Sequence, residues 1–399
     1  MNDAASGPRH PTLDQVQEIL DDIDRWRTAG HRVALARVIG TEGSAPREPG
    51  AAMAVSEDGE VAGSVSGGCV ETALVADALD VLGSGHAHTA IFGYSDDEAF
   101  AVGLTCGGTI RVFVELVGDG GMATEILEAL HGHLAARLPV ALATVIEANV
   151  DESAGEGGRA AVVGSTMLVR SGGETTGALG TRELDEAVRR DVLGHLEAGT
   201  TAIRRYGPRG ETGRQDLAVF VETFAPPPRM VIFGGVDFTA ALAKVAKILG
   251  YRIIVCDARP VFATPARFPM ADEVVVDWPD RYLATIGPTL GARDAVCVLT
   301  HDPKFDVPAV VAALATRVGY IGAMGSRRTA ADREKRLREA GVGDEELARV
   351  MAPIGLDIGA VTPEETAISI CAEIVTRRSG DRTGSPLRTT DGPIHHPSR

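Results

Sequence analysis

The sequence predicts an α/β protein in two parts: a duplicated N-terminal α+β domain, then a C-terminal Rossmann-like domain with a doubly wound parallel sheet. Three observations carry that expectation. Residues 50–85 repeat as 164–199, the prolines Pro226–Pro228 separate two kinds of sequence, and apolar runs alternate with helical patterns beyond them. A chain of 399 residues is long for one core, so two domains are the natural expectation.

The repeat comes first. Gly50 through Gly85 overlays Gly164 through Gly199 at a constant offset of 114, with 11 of 36 positions identical. Ordinary composition gives roughly two or three. Val33–Ala36 pairs with Val140–Ala143 and Phe113–Glu115 with Phe220–Glu222, both at an offset of 107. Each copy is expected to form strands and then a helix, Val70–Leu82 and Leu184–Leu196, within repeats of about 33–117 and 140–224 in a domain spanning 1–225.

Three consecutive prolines exclude helix and central strand. After them, Met230–Phe233, Arg252–Cys256, Val274–Val276, Ala295–Leu299 and Tyr320–Ala323 are apolar runs of strand length, with a helix expected over Thr239–Leu249. Fully apolar strands separated by helices indicate a parallel sheet covered on both faces. The last helix is announced by Thr362, Pro363 and Glu365, a cap, a first-turn proline and a capping-box partner. The second domain is assigned to 229–378, and residues 379–399, poor in apolar side chains, are expected to be disordered.

Composition narrows the function. A net charge of −16 argues against nucleic acid and anionic membrane as partners. No signal-peptide pattern opens the chain and no apolar run is of spanning length. Five scattered cysteines do not form a secreted disulfide framework. A reducing cytoplasm is the expected location.

The repeat also serves as an internal control: what both copies keep is scaffold, and what one copy keeps is a candidate for function. The first copy carries Ser66-Gly67-Gly68-Cys69 where the second has Gly180-Thr181-Arg182-Glu183, and Cys106-Gly107-Gly108 has no counterpart. Gly67 and Gly68 close a strand and open a helix, where unpaired N–H groups favour an anion and glycines admit a phosphate or pterin. The same field makes Cys69 a soft metal ligand or an acceptor of sulfur. The alternative is a tight turn with a small buried cysteine. Cys106 brings a second thiol, and two thiols can hold a metal, pass a persulfide or merely coexist. No zinc spacing is present. Arg47 is a phosphate or oxo-group contact or a surface arginine. His86, His88, His131 and His133 are read as solvated.

In the C-terminal domain, Phe233-Gly234-Gly235-Val236-Asp237-Phe238-Thr239 follows the first strand. A dinucleotide fingerprint needs glycine at the places of Val236 and Thr239, so only Gly234 fits, although Asp257 ends the second strand where a ribose would lie. Tyr320 to Arg328 is the better anion site, with Gly322, Gly325, Ser326 as helix cap and Arg327; the alternative is a capped helix with exposed arginines. His301 ends the neighbouring strand and faces the same crevice.

These segments together resemble the XdhC/CoxI family, accessory proteins of xanthine dehydrogenase and carbon-monoxide dehydrogenase. The resemblance runs from Val33 to about Val375. It rests on Gly43–Arg47 with Gly50, Ser66–Glu71, Cys106–Gly108, Thr300–Asp302, Tyr320–Arg328 and Gly355–Gly359. It implies a homodimeric chaperone that binds the molybdenum cofactor, supports its sulfuration and assists insertion into an apo molybdenum hydroxylase, with a cysteine desulfurase as a further partner. It makes Cys69 and Cys106 the cofactor or sulfur contacts, with Arg47, Gly67 and Gly68 cradling pterin or phosphate. Relatives carry a glycine-richer turn at Gly234–Thr239, so this version weakens dinucleotide binding. Two other readings stand beside this one: an NAD(P)-dependent oxidoreductase using Asp257 and His301, and an assembly scaffold that never touches the cofactor.

Overall fold

A computed structural model describes residues 12–42, 47–93, 108–149, 161–300, 302–378 and 384–389. The chain divides into two units, Met1–Pro226 and Pro227–Arg399.

The first unit opens with α1 (Leu13–Thr28), where Thr12 and Gln15 form a capping box and Val16, Ile19, Leu20 and Ile23 line one buried face. Then come β1 (Val33–Glu42), β2 (Ala52–Ser56), β3 (Val61–Gly63), α2 (Glu71–Ser84), β4 (His88–Phe92) and β5 (Thr109–Val117). The second copy repeats the order with α3 (Thr124–Ala135), β6 (Val140–Ala148), β7 (Thr166–Arg170), β8 (Thr175–Gly177), α4 (Arg182–Ala198), β9 (Ala202–Tyr206) and β10 (Leu217–Phe224). The two antiparallel sheets have matching strand orders, β3-β2-β1-β5-β4 and β8-β7-β6-β10-β9. The duplicated α+β class is therefore present. Each copy begins with a helix that sequence identity alone does not reveal: Ile19, Leu20 and Ile23 fall on Ile126, Leu127 and Leu130 at the offset of 107, keeping apolar character more than identity.

Helix α2 covers one face of the first sheet, packing Leu74, Ala78 and Val81 on Met53 and Val112. Helix α4 does the same for the second, with Leu184, Val188 and Val192 on Met167 and Val219. The other faces meet through the repeat-related pairs Ile39 with Ile146 and Phe113 with Phe220, flanked by α1 and α3.

Gly63 and Gly177, kept in both copies, show what the scaffold demands. Both have φ +81°, and a Cβ on Gly63 would strike the Ala52 carbonyl and stand 2.6 Å from Ile19 Cδ1. On Gly177 it would stand 2.5 Å from the Thr166 oxygen and 2.6 Å from Ile126 Cδ1. Only glycine lets the opening helix lie on its strand. We expect Gly63→Ala to destabilise the protein by about 2 kcal/mol, measured as a lower urea midpoint at unchanged m-value; an unchanged midpoint would contradict this packing.

Between the sheets lies a charged cluster that apolar patterning hides. Arg37 is 2% exposed, donates to Glu115 and to Thr144 Oγ1 (3.0 Å) through Nη2, and reaches Glu222 through Nη1 at 3.2 Å. Glu115 and Glu222 are repeat equivalents, as are Arg37 and Thr144. The pseudo-symmetric junction thus holds two carboxylates against one guanidinium. Burial pushes both carboxyls up despite Arg37, Glu115 to about 7.

The second unit follows with β11 (Arg229–Phe233), α5 (Asp237–Ile248), β12 (Arg252–Cys256), β13 (Glu273–Val275), α6 (Pro279–Ile286), β14 (Ala295–Val298), α7 (Pro303–Leu314), β15 (Tyr320–Ala323), α8 (Arg327–Glu339), α9 (Asp344–Leu347), β16 (Val350–Met351) and α10 (Pro363–Arg378). All its strands are parallel, in the order β13-β12-β11-β14-β15-β16. Counted from β11 this is 3-2-1-4-5-6, the Rossmann order. Helices α5 and α10 cover one face and α6, α7 and α8 the other. The expected capping box of the last helix is formed, with Thr362 Oγ1 accepting from Glu365 N–H and Glu365 accepting from Thr362 N–H. Among the described residues no helix is long and apolar enough to cross a membrane.

Candidate functional site

Antiparallel pairing gathers three of the predicted segments at one end of the first sheet. Ser64 N–H bonds the Ala52 carbonyl, which places the 64–70 loop beside the start of β2. The turn bearing Arg47 leads into that same start, with Gly50 N–H on the Val38 carbonyl. Thr109, next to Gly108, pairs with Glu42 at the end of β1. Ser66, Gly67, Gly68 and Cys69 form the loop itself, while Cys106 and Gly107 lie outside the described residues. Arg47 is half-buried, and its guanidinium makes no ion pair or hydrogen bond with a described residue.

The expected anion cradle is not what the loop builds. Glu71, the first residue of α2, turns its carboxylate back under the loop. Its Oε1 accepts from Ser64 Oγ (2.7 Å) and Ser66 N–H (2.9 Å), and its Oε2 from Ser66 Oγ (2.5 Å), Gly68 N–H (2.8 Å) and Val70 N–H (3.2 Å). Gly67 N–H goes to Ser64 Oγ and Cys69 N–H to Ser66 Oγ. Every N–H from Ser66 to Val70 is thereby satisfied from inside, so the unpaired N–H groups expected at Ser66, Gly67 and Gly68 are not there: the protein's own carboxylate occupies the helix N-terminus. Burial pushes the Glu71 carboxyl up, but the Ser66 and Ser64 hydroxyls and the Ser66 N–H outweigh it and hold it at about 2.

The inward N–H groups have a geometric consequence. In a trans peptide the carbonyl points opposite to the next residue's N–H, so the carbonyls of Gly67 and Cys69 face away from Glu71, and those of Ser66 and Gly68 away from the Ser64 and Ser66 hydroxyls. Gly67 and Gly68, at φ +76° and +115°, are exposed, and a Cβ on either would meet nothing within 4 Å. The loop thus sets these carbonyls and two exposed glycines beside a half-buried thiol. Cys69 packs against the apolar core under α2, and no disulfide joins the described cysteines.

The second copy supplies the control. Asp185 stands where Glu71 does and accepts from Leu179 N–H (2.8 Å) and Gly180 N–H (3.4 Å). The bracing carboxylate is scaffold common to both copies, whereas the paired glycines and the thiol belong to the first alone.

In the second unit the carboxyl ends of the strands bring together Gly234, Asp257, Gly325 and Ser326; His301 lies outside the described residues. Asp257 Oδ2 accepts from Gly235 N–H (2.7 Å) and Arg259 Nη2 (2.8 Å), and Oδ1 from Arg259 N–H and Nε (2.9 Å each). Its acceptor sites are spent, leaving no lone pair for a ribose. A Cβ on Gly235 would stand 2.7 Å from the Phe262 oxygen, so the 259–268 segment already covers the glycine turn. Asp237 adds a carboxylate to the first turn of α5, where a pyrophosphate would have to sit. Gly322 lies inside β15, buried, where a Cβ would strike Ile354 Cδ1. Gly325 has φ +150° and Ser326 caps α8 through Thr329 N–H, leaving Arg327 exposed. A cavity of about 310 Å³ opens beside them, lined by Phe238, Met324, Ile354 and Thr366.

Comparison with known proteins places this geometry. The family model described as the XdhC Rossmann domain matches residues 230–374, and that of the XdhC and CoxI family matches 26–93 and 133–207, one segment in each copy. Together they span more than two thirds of the chain. The chain belongs to the XdhC and CoxI family. Relatives of similar length agree. One, from Bacillus subtilis (strain 168), is described as a probable subunit of xanthine dehydrogenase and is 28% identical over 86% of this chain and 92% of its own. Another, from Escherichia coli (strain K12), is the molybdenum cofactor insertion chaperone PaoD, 26% identical over 88% of this chain and 85% of its own. A crystal structure from Bacillus halodurans, titled as a xanthine dehydrogenase, has the same fold: TM-score 0.55, 24% identity, 93% of this chain and 98% of that one.

Within this XdhC and CoxI chain, sequence reasoning missed Glu71 and Ser64. The signal was available, since positions 71 and 185 are acidic in both copies while their surroundings diverge.

Proposed function

We propose that this chain binds the molybdenum cofactor at the 64–70 loop and handles it for a molybdenum hydroxylase of the xanthine or carbon-monoxide dehydrogenase type. One observation carries the reading: the open diglycine with its thiol occurs only in the first copy, on a scaffold that both copies share. The residues fit part of the cofactor. The row of outward carbonyls complements the amino and amide donors of a pterin edge, and a thiolate is a soft partner for molybdenum or sulfur. With the loop's N–H groups taken, Arg47 at the same sheet end is the residue left for an oxo or phosphate group. The cofactor itself, when bound, would supply the metal–dithiolene redox chemistry of the target enzyme; the chain would orient and shield it, a chaperone's work rather than turnover.

Support of sulfuration through Cys69, with Cys106 as a second thiol, a cysteine desulfurase as sulfur donor, insertion into the apo hydroxylase, homodimerisation and a cytoplasmic setting complete the proposal. PaoD, described as an insertion chaperone, and the Bacillus subtilis relative, described as part of a xanthine dehydrogenase, favour this over a free-standing oxidoreductase. The engaged Asp257 and the acidic start of α5 disfavour NAD(P). A scaffold that never touches the cofactor predicts no dependence on Cys69.

The test is anaerobic incubation with molybdenum cofactor, desalting, and measurement of bound molybdenum and fluorescent pterin. Wild type should retain both, and Cys69→Ser should lose at least about tenfold in affinity, the worth of one soft metal contact. Equal retention by the two proteins would defeat the proposal.

A further inference from the structure

A groove of about 510 Å³ runs between α8 and the segment from α9 to Pro353, in the second unit. The wall opposite α8 is apolar, with Leu347, Val350 and Pro353, and α8 lines the other with Arg327, Arg333 and Leu337. Arg333 is 3% exposed. Its Nη2 donates to Asp306 (2.9 Å) and to the Met324 carbonyl (2.7 Å), but its Nε and Nη1 are buried with no hydrogen-bond partner. Buried donors are ordinarily satisfied, so two unmet nitrogens on one guanidinium call for an acceptor. Most of the groove's charge is balanced: Arg333 pairs with Asp306 at 2.9 Å, and Arg338 is held by Glu334 at 2.7 Å and by Asp344. Arg327 is exposed at the start of α8 and makes no ion pair with a described residue.

The surplus is thus positive, in a chain whose net charge is −16. Helix α8 carries six basic residues against three acidic ones. We infer that this groove is a second ligand site, which takes an organic phosphate monoester with its phosphate toward Arg327 and Arg333 and its body on the apolar wall. Phosphate fits better than carboxylate because two guanidinium groups line the groove. A dianion with three terminal oxygens can engage Arg327 and Arg333 together, whereas a carboxylate brings one charge and two oxygens. The groove is also too large for a lone ion and falls in the range of small-molecule sites. The inference concerns α8 and is independent of the Cys69 loop, so either can fail alone.

Titration calorimetry of the full chain with phenyl phosphate, inorganic phosphate, benzoate and a hexaglutamate peptide tests it. Phenyl phosphate should bind tightest, by at least about tenfold over benzoate, and should shift the Arg333 Nε–H resonance. Arg327→Glu and Ala331→Glu, both at exposed positions, should each weaken it by at least about tenfold while leaving the circular dichroism unchanged. Absence of phenyl phosphate binding, equal binding of benzoate, preference for the peptide, or indifference to both substitutions would each overturn the assignment.

Discussion

Replacing Arg37 by leucine is expected to cost about 3–5 kcal/mol at pH 8, because it strands two buried carboxylates. Its guanidinium is the only cation contacting Glu115 and Glu222 among the described residues, and both carboxyls are shut off from water. The loss should shrink at pH 5, where the two carboxyls can take up protons. Even wild type carries part of this dependence. Glu115 titrates at about 7 in the folded protein, above its ordinary 4.5. A raised carboxyl stabilises fully below its unfolded value, and the contribution fades as pH rises through about 7, by up to about 3 kcal/mol. Denaturant midpoints from pH 5 to 8 measure both effects. Glu115→Gln should flatten the wild-type slope, since the surplus carboxylate is gone. A leucine variant that loses less than about 1 kcal/mol at pH 8 would show that the cluster is not ionised as described.

Glu71→Gln should be nearly as damaging, by about 2–4 kcal/mol at pH 7. Whichever way the amide is turned, its NH2 faces donors that now find an acceptor missing, and at least two loop groups lose theirs. The pH dependence has the opposite sign to that of Glu115. With its carboxyl held at about 2, Glu71 stabilises above its ordinary range and loses that contribution as pH falls from about 4.5 toward 2. The carboxylate is partly exposed, so the shift is worth about 1–2 kcal/mol once screening is allowed for. Hydrogen exchange of the amides from Ser66 to Val70 reads the loop directly. Protection in wild type should fall sharply in the variant; amides that exchange freely in both would mean Glu71 does not brace the loop.

Part of this protein is legible in its sequence and part is not. Arg252–Cys256 and Tyr320–Ala323 are visible as uninterrupted apolar runs because strands covered on both faces have no polar alternation to keep. The duplication is visible because Gly63 and Gly177 answer one steric demand. Helices α1 and α3 escape it, since a helix needs only apolar spacing to pack and its identities drift. The strand β16, two residues long, gives no pattern at all. At the candidate site, sequence locates the glycines and the thiol but not the direction of the N–H groups, which depends on how the Ser64, Ser66 and Glu71 side chains turn. The same limit hides Arg37 and Arg333, whose partners lie far along the chain.

The most direct test of the account exchanges the loop between copies. Residues 66–69, Ser-Gly-Gly-Cys, are replaced by the Gly-Thr-Arg-Glu of the second copy, and bound molybdenum and pterin per chain are measured after anaerobic loading. The exchanged protein should keep its fold, since the second copy builds the same strands and helix around those residues, and should retain neither molybdenum nor pterin. Retention at the wild-type level would place the cofactor somewhere other than this loop.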